Sequence, residues 1–380
     1  MALISGVRGT GNTLANKHVI DMSEQISMLN PSEAPLTLLT KGKGGASKKS
    51  CFNPKFSWME DDLQARWDAA NGAVAAVSEN IIVDNYTYFT AGDIIKVPRT
   101  GECMKCLTAS SATITATRGF GETAAAIIND NDTLVIIGNA NEEGATMPTM
   151  KSNNEAEVYN YTQIFRTPFG VTATENASKE YGGKDLSVQR KKKGIEHAVD
   201  IERAFLFGER KLLTSGTHYL RTTRGLLKFI STNVTNIGGL MSKQQLDTFC
   251  QGVFQYGSNK RLLLCSPTLL TAISQLGAGM LNIVPSDKVF GLSIKEYLTP
   301  HGTLYLAKHK LLESTYDGYG IAVDVDNLKY RFLEGRDTKL NTNVQANDED
   351  GERDEYITEC GLECRQEQTH GILKGVTGAV

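Results

Sequence analysis

At 380 residues the chain exceeds the size at which one hydrophobic core usually stops growing, so two or three core units are expected. Hydrophobic residues at 40% and charged residues at 22% exclude a disordered or fibrous chain. A net charge of -3 argues against a dedicated nucleic-acid binder, which carries a basic excess.

The first residues lack a secretory pattern: Gly6, Gly9, Thr10, Gly11 and Asn12 stand where an apolar run would be needed. No apolar segment approaches the roughly 18 residues of a membrane span. Synthesis and folding in a cytosol are therefore expected. The seven cysteines fit a reducing compartment better than a disulfide framework. For the same reason the Asn-x-Ser/Thr sites at Asn85, Asn160, Asn176 and Asn233 are expected to stay unglycosylated.

Residues 1–55 read as an arm. Gly9, Gly11, Pro31, Pro35 and the Gly/Lys run over 41–50 cannot bury a core, so this segment is expected to be mobile or ordered by a partner. A short helix is expected at 22–28. Residues 56–63 are extended to helical. From 81 to 138 the pattern turns to β, with strands expected at 81–89, 94–97, 104–108, 114–118 and 134–137, and a small barrel or sandwich as the outcome. Gly119 and Gly121 flank Phe120 at a turn expected to need positive φ. A loop over 139–148 leads to an extended arm at 160–174.

The longest helical signature covers 179–211, with Ile195, Ala198, Val199, Phe205 and Leu206 as its apolar stripe and Gly182 and Gly183 weakening its start. Ser242 with Gln245 forms a capping-box signal for a helix to about 255. A buried strand is expected at 261–265. Ser266-Pro267 then opens a helix that ends before Gly277. Further strands are expected at 303–307, 321–325 and 330–333. Alternation returns at 355–359, and a Gly-rich, hairpin-like stretch runs to Val380.

Chemistry is hard to find in these elements. Cys103 and Cys106 have CxxC spacing, with Cys360 and Cys364 as a second pair, and four thiolates would suit zinc if the pairs met. The first pair lies in an expected strand, where residues three apart point to opposite faces, so small core hydrophobes are the better reading. Glu196, His197, Asp200 and Glu202 cluster on the long helix, but no second helix repeats a ligand pattern, and a solvated or salt-bridged face is expected. No phosphate-binding loop, dinucleotide fingerprint or nucleophile elbow is present. Neither a catalytic residue nor a cofactor is assigned.

Two charged segments stand out as candidate subunit contacts. One is the basic run Arg190, Lys191, Lys192 and Lys193. The other is Asp348, Glu349 and Asp350, followed by Glu352, Asp354 and Glu355. Pairing between copies would set register more than affinity. Gln163 and Arg166 are read either as further subunit contacts or as packing within the protomer; for Trp58 core packing is expected.

Several segments, in this order, resemble one lineage of tailed-bacteriophage major capsid proteins with the Hong Kong 97-type shell fold. They are 56–63, 93–102 (Asp-Ile-Ile-Lys-Val-Pro-Arg-Thr-Gly-Glu), 113–126 with its Thr-Arg-Gly-Phe-Gly turn, 138–144, 160–174, 195–203 and 355–375. The resemblance implies an α+β capsid fold with five parts. Residues 1–55 would be the N-terminal arm, and 56–80 with 150–178 the strands of an extended loop. Residues 81–149 would be a β-rich insertion domain. The peripheral domain with its spine helix would take 179–220 and 326–380, and the axial domain 221–325.

The implied function is that of a major capsid protein assembling through hexamers and pentamers into the icosahedral head, in the virion, after assembly in the host cytoplasm. A scaffolding protein and a portal are the implied partners, with non-specific proximity to packaged double-stranded DNA and no membrane. Only 55 residues precede Phe56, so a separate scaffolding protein is expected rather than a cleaved scaffolding segment. A minor capsid or decoration protein is the nearest alternative. A surface-layer protein would normally carry a signal peptide, and an enzyme would need titratable groups that converge.

Overall fold

The computed structural model describes residues 34–42, 48–144, 146–178, 184–276 and 295–380. The expected helix at 22–28, most of the arm, part of the Gly/Lys run, and Gly182 and Gly183 lie outside the described residues. Two compact units emerge, one from Met1–Trp58 with Val158–Val380 and one from Met59–Glu157.

The first described elements are helix α1 (Pro35–Gly42) and strands β1 (Lys48–Cys51) and β2 (Lys55–Glu60). From Pro35 onward the arm is thus not ordered by a partner alone: α1 buries Leu36 and Leu39, and β1 buries Cys51, all within their own chain. After β2 the chain stays irregular to residue 65, without the helical turn expected there.

The second unit holds β3 (Trp67–Ala69), β4 (Asn80–Ile82), β5 (Asp93–Lys96), β6 (Cys103–Ser110), β7 (Thr113–Thr117) and β8 (Thr133–Asn139). Their order is β3-β8-β5-β6-β7-β4, and a bridge between Ala70 and Val83 joins the two outer strands. The sheet therefore closes on itself, which removes its edges, and the barrel expectation holds. Ile81, Ile95, Met104, Ile114 and Leu134 fill the interior. The expected strand at 81–89 is broken: β4 ends at Ile82, and Tyr86–Tyr88 form a 3-10 turn capped by Asn85, whose Oδ1 accepts the Thr87 N–H. Asp84 and Asn85 are turn formers, and they win over the β-prone residues around them. Gly119 has φ +59, as expected, whereas Gly121 is needed for space, since a Cβ there would lie 3.2 Å from Cys103 Cβ.

The first unit resumes with β9 (Ala156–Tyr161), β10 (Gln163–Thr172), α2 (Ala173–Ala177) and α3 (Asp185–Phe207), then β11 (Lys211–Ser215), β12 (His218–Thr222) and α4 (Leu226–Phe229). It continues through β13 (Val234–Met241), α5 (Lys243–Val253), β14 (Lys260–Cys265), α6 (Pro267–Leu276), β15 (Lys295–Thr299) and β16 (Gly302–Lys308). It ends with β17 (Gly320–Val323), β18 (Leu328–Leu333), β19 (Lys339–Asn341), β20 (Gly351–Cys364) and β21 (Gly371–Ala379).

One sheet runs β1-β18-β20-β10, with β19 also on β20. The expected continuous arm at 160–174 is split: β9 pairs with β2 in a two-stranded ribbon, while β10 pairs antiparallel with β20 from Gln163 opposite Cys360 to Thr172 opposite Gly351. Different strand partners make this split, and within β10 alternation buries Phe165 and Phe169 while Ile164 and Arg166 face out. Pro168 is tolerated because β10 is an edge strand. Helix α3 packs on β10 and β20, and its inward face is Leu186, His197, Ile201, Glu202, Phe205 and Leu206. Ile195 and Val199 are half-buried, so the real stripe is rotated from the expected one. The helix stops at Phe207 rather than 211, where Gly208 turns the backbone extended (φ -59, ψ 149) in a space with no room for a Cβ, which would sit 2.4 Å from the Ala204 carbonyl oxygen and 2.6 Å from that of Thr223.

The other large sheet runs β13-β21-β17-β14-β16-β15. Residues Arg261 to Cys265 of β14 are all buried, as a central strand covered on both faces requires. Helix α5 carries the predicted capping box, with Ser242 Oγ accepting the Gln245 N–H and Gln245 Oε1 accepting the Ser242 N–H. The terminal stretch does not fold back as a hairpin on β20. Strand β21 pairs parallel with β13 and antiparallel with β17.

A buried polar knot closes this sheet. Arg261 donates Nε to the Thr369 carbonyl at 2.9 Å and pairs with Asp324 at 3.1 Å. His370 Nδ1 accepts the Asp324 N–H, and its Nε2 donates to the Arg365 carbonyl, both at 3.1 Å. Burial holds this neutral ring at about 4. A histidine depressed in the folded state is charged first in the unfolded chain, so this residue's contribution is expected to lower stability as pH drops from about 6.5 to about 4, by roughly 3 kcal/mol, and itself to level off below. Urea titrations at several pH values check this. His370→Gln should remove that part of the slope, and an unchanged slope would show that other groups set it.

Candidate assembly surfaces

The long helix α3 organises two buried polar contacts that fix neighbouring elements. Glu202 is fully buried, and its carboxylate accepts the N–H groups of Leu36 (2.8 Å) and Thr37 (2.7 Å), the Thr37 hydroxyl (2.5 Å) and His309 Nε2 (2.8 Å). Pro35 opens α1 without an N–H to lose, and Glu202 satisfies the next two orphan donors from the far side of the core. Its negative charge lies at the positive end of the helix. His309 Nδ1 accepts the Leu311 N–H at 3.2 Å, which leaves the ring proton on Nε2 facing Glu202.

His197 is the second such contact. It is 1% exposed rather than on a solvated face, with Nδ1 2.9 Å from the Thr167 hydroxyl and Nε2 2.7 Å from that of Thr358. Thr358 donates its hydroxyl hydrogen to Thr338, which leaves its oxygen to accept from Nε2. Burial depresses the His197 pKa below the ordinary value, with the Lys41 charge adding to the effect. The expected helix cluster is therefore dispersed: Glu196 pairs with Lys193, Asp200 with Arg203, and His197 and Glu202 face the core with different partners.

The sequence-derived contact residues fall into two groups. Gln163 Oε1 accepts the Thr223 N–H within the protomer. Arg166 donates Nε (3.0 Å) and Nη2 (2.5 Å) to Glu355 Oε2, which holds that carboxyl below the usual range. Arg190 pairs with Asp354 at 2.7 Å. The basic run and the acidic stretch thus already meet inside one chain, a match that 164 residues of separation hides in the sequence. Lys191, Lys192, Asp348 and Asp350 point outward, while Glu349 is half-buried against Arg353. Trp58 is in the core at 5% exposure.

The seven cysteines are free thiols. Burial pushes Cys106 up to about 11 and Cys360 up to about 12, the opposite of an activated thiolate. Among the described residues no group of three or more His, Cys, Asp or Glu is arranged to hold a metal. Among them, too, no helix is long and apolar enough to cross a membrane.

Outward surfaces are the more telling feature. The β2/β9 ribbon pairs only with itself among the described strands, so no third described strand joins either of its edges. Met59 and Leu63, at its end and just beyond, are 69% and 92% exposed. Hairpin β11/β12 likewise exposes Leu212, Leu213, Tyr219 and Leu220. Large apolar side chains held in water on unpaired strands mark contact surfaces.

Comparison with known proteins agrees with this picture. A major capsid protein of Pseudomonas phage PaMx41 is 26% identical over 361 residues, covering 90% of this chain and 86% of that one. The capsid of a native GTA particle superposes with a TM-score of 0.51 at 10% identity, over 100% of both chains. The capsid protein of Myoviridae phage XM1 gives 0.48 at 10% identity, over 97% of this chain and 100% of that one. The model of the SU10 major capsid protein family matches residues 5–377, so this chain, with its Hong Kong 97-type fold, belongs to that family of phage major capsid proteins.

Proposed function

We propose that the chain assembles through hexamers and pentamers into an icosahedral head enclosing the phage genome, with the β2/β9 ribbon as its principal reach toward neighbouring copies. The observation that carries this reading is the ribbon itself, whose edges no third described strand joins and whose end exposes apolar side chains. Such edges pair by strand addition in a shell and invite aggregation in a lone monomer. Heterologous contacts that close by rotation yield rings, and rings of five and six tile a closed surface.

In this reading 1–55 serve as the arm, 56–80 and 150–178 as the extended loop, and 81–149 as the insertion domain, whose barrel also takes in β3 and the first residue of β4. The peripheral domain takes 179–220 and 326–380, with 371–379 lent to the axial sheet, and 221–325 form the axial domain. The exposed charges of Lys191 and Lys192 on one copy meet Asp348 and Asp350 on another, while Gln163, Arg166, Arg190 and Glu349 act within the protomer. A scaffolding protein and a portal take part in assembly, which occurs in the host cytoplasm. The packaged DNA is approached without a dedicated site, in keeping with the net charge of -3. The protein has no enzymatic role.

Electron microscopy of the purified chain, alone and with candidate scaffold proteins, tests the reading. Closed shells, tubes, or five- and six-fold rings are expected. A monomer that persists under every condition would overturn it.

A further inference from the structure

The root of the ribbon carries a cationic cluster that the protomer leaves uncompensated. The Tyr159 ring lies between Lys55 Nζ, 4.3 Å from its centroid, and the Arg210 guanidinium, 3.8 Å from it. Arg210 also donates to the Tyr159 carbonyl, and the next residue, Asn160, accepts the Arg224 N–H on its Oδ1 at 2.9 Å. Arg210 and Arg224 are thereby brought to the same two residues of β9, and burial together with the Arg210 charge depresses the Arg224 guanidinium.

Neither arginine pairs with a carboxylate among the described residues; Arg224 donates to the Lys228 carbonyl instead. The nearby acids are otherwise engaged, Glu209 by Lys228 at 2.8 Å and Glu367 by the N–H groups of Ser231 and Thr232. The β11/β12 hairpin between the two arginines in sequence exposes Tyr219 and Leu220, so the cluster is flanked in sequence by exposed apolar side chains.

The opposite pattern occurs once the chain has passed along β2. Asp61 and Asp62 are exposed, each carboxylate accepts the next backbone N–H in sequence, and the Asp62 carbonyl also accepts from Asn153 Nδ2 at 3.3 Å; the pair is flanked by the exposed Met59 and Leu63. An acidic segment and a basic cluster, each flanked in sequence by exposed apolar side chains, are complements of one another. Two complementary patches on one chain make a head-to-tail contact between copies.

We propose that Lys55, Arg210 and Arg224 of one copy receive the Asp61–Asp62 segment of a second copy. The proposal rests on the reading that copies associate, and it names the contact by which they do so.

The test mixes light and nitrogen-15-labelled protein and applies a zero-length carbodiimide, which joins Lys55 to Asp61 or Asp62 wherever they touch. Mixed-isotope Lys55–Asp61 or Lys55–Asp62 peptides are expected. In Asp61→Lys/Asp62→Lys, a change confined to exposed residues that also removes the carboxylates the reagent needs, the assembled fraction by sedimentation should fall about tenfold or more. Adding Arg210→Glu and Arg224→Glu to that variant should restore association, now read as recovery of the assembled fraction by sedimentation. Same-isotope peptides alone, no such peptides, or undiminished association in the aspartate variant would overturn the proposal. Mixed-isotope peptides without shells in the microscope would keep the contact and sink the shell reading, so the two failures are distinguishable.

Discussion

Replacing Glu202 by alanine is expected to cost about 3–5 kcal/mol and to release α1 from the rest of its unit. The carboxylate holds two backbone N–H groups, the Thr37 hydroxyl and His309 Nε2 in a space with no solvent access. Removing it leaves all of these donors buried and unmatched, the situation in which truncating one partner is most damaging. An eight-residue helix has little stability of its own, so α1 depends on this anchor and on Leu36 and Leu39. Hydrogen exchange is the direct measurement: amides of 36–42 should lose protection in Glu202→Ala before the strands of the same unit do. Glu202→Gln should lie between, since its amide retains one acceptor oxygen but opposes a donor to a donor. Unchanged protection of 36–42 in the alanine variant would show that apolar packing alone holds the helix.

That anchor was illegible in the sequence for a definite reason. The contacts of Glu202 span 166 residues to Leu36 and 107 to His309, and nothing in a local window marks a glutamate on an amphipathic helix as inward-facing. By contrast, the Ser242–Gln245 capping box involves positions three apart and was read correctly. Strands β5 to β8 were placed within a few residues because alternation and turn residues are also local. The rotation of the α3 stripe shows the limit. Ile195 and Val199 look like core by type, yet the helix turns His197 and Glu202 inward, where distant hydroxyls and backbone groups satisfy them. The split of the 160–174 arm followed from strand partners, which a single sequence does not reveal. Family resemblance supplied the fold that local patterns could not, since its evidence lies in the order of many weak segments.

Glu102→Ala is expected to unfold the barrel selectively. Glu102 is fully buried and takes Arg118 through Nε at 2.7 Å and Nη2 at 2.9 Å, while the N–H groups of Gly119 (3.1 Å) and Ala126 (3.0 Å) point at the same carboxylate. Burial alone would raise this carboxyl; the Arg118 hydrogen bonds and the two N–H groups outweigh it and hold it below the ordinary range. Its contribution is therefore present above the unfolded carboxyl pKa and lost as pH falls through the lower folded value. Arg118 in turn donates to the carbonyls of Ala75, Ser78 and Ala126, so one pair ties two stretches of loop to the barrel. Leaving Arg118 buried without its counter-charge should cost about 3–5 kcal/mol. For a unit of this size that lowers the melting temperature by on the order of 20 °C. Because 59–157 have their own core, calorimetry should show their transition moving down while that of the other unit stays in place. A second variant separates charge from hydrogen bonding. Glu102→Met with Arg118→Leu removes both charges but still strands the Gly119 and Ala126 N–H groups, so it should recover only part of the loss. Full recovery would mean that the ion pair was the whole effect and the loop amides find other partners. A single transition shifted as one in Glu102→Ala would show instead that the two units unfold together, and the selective role of Glu102 would be wrong.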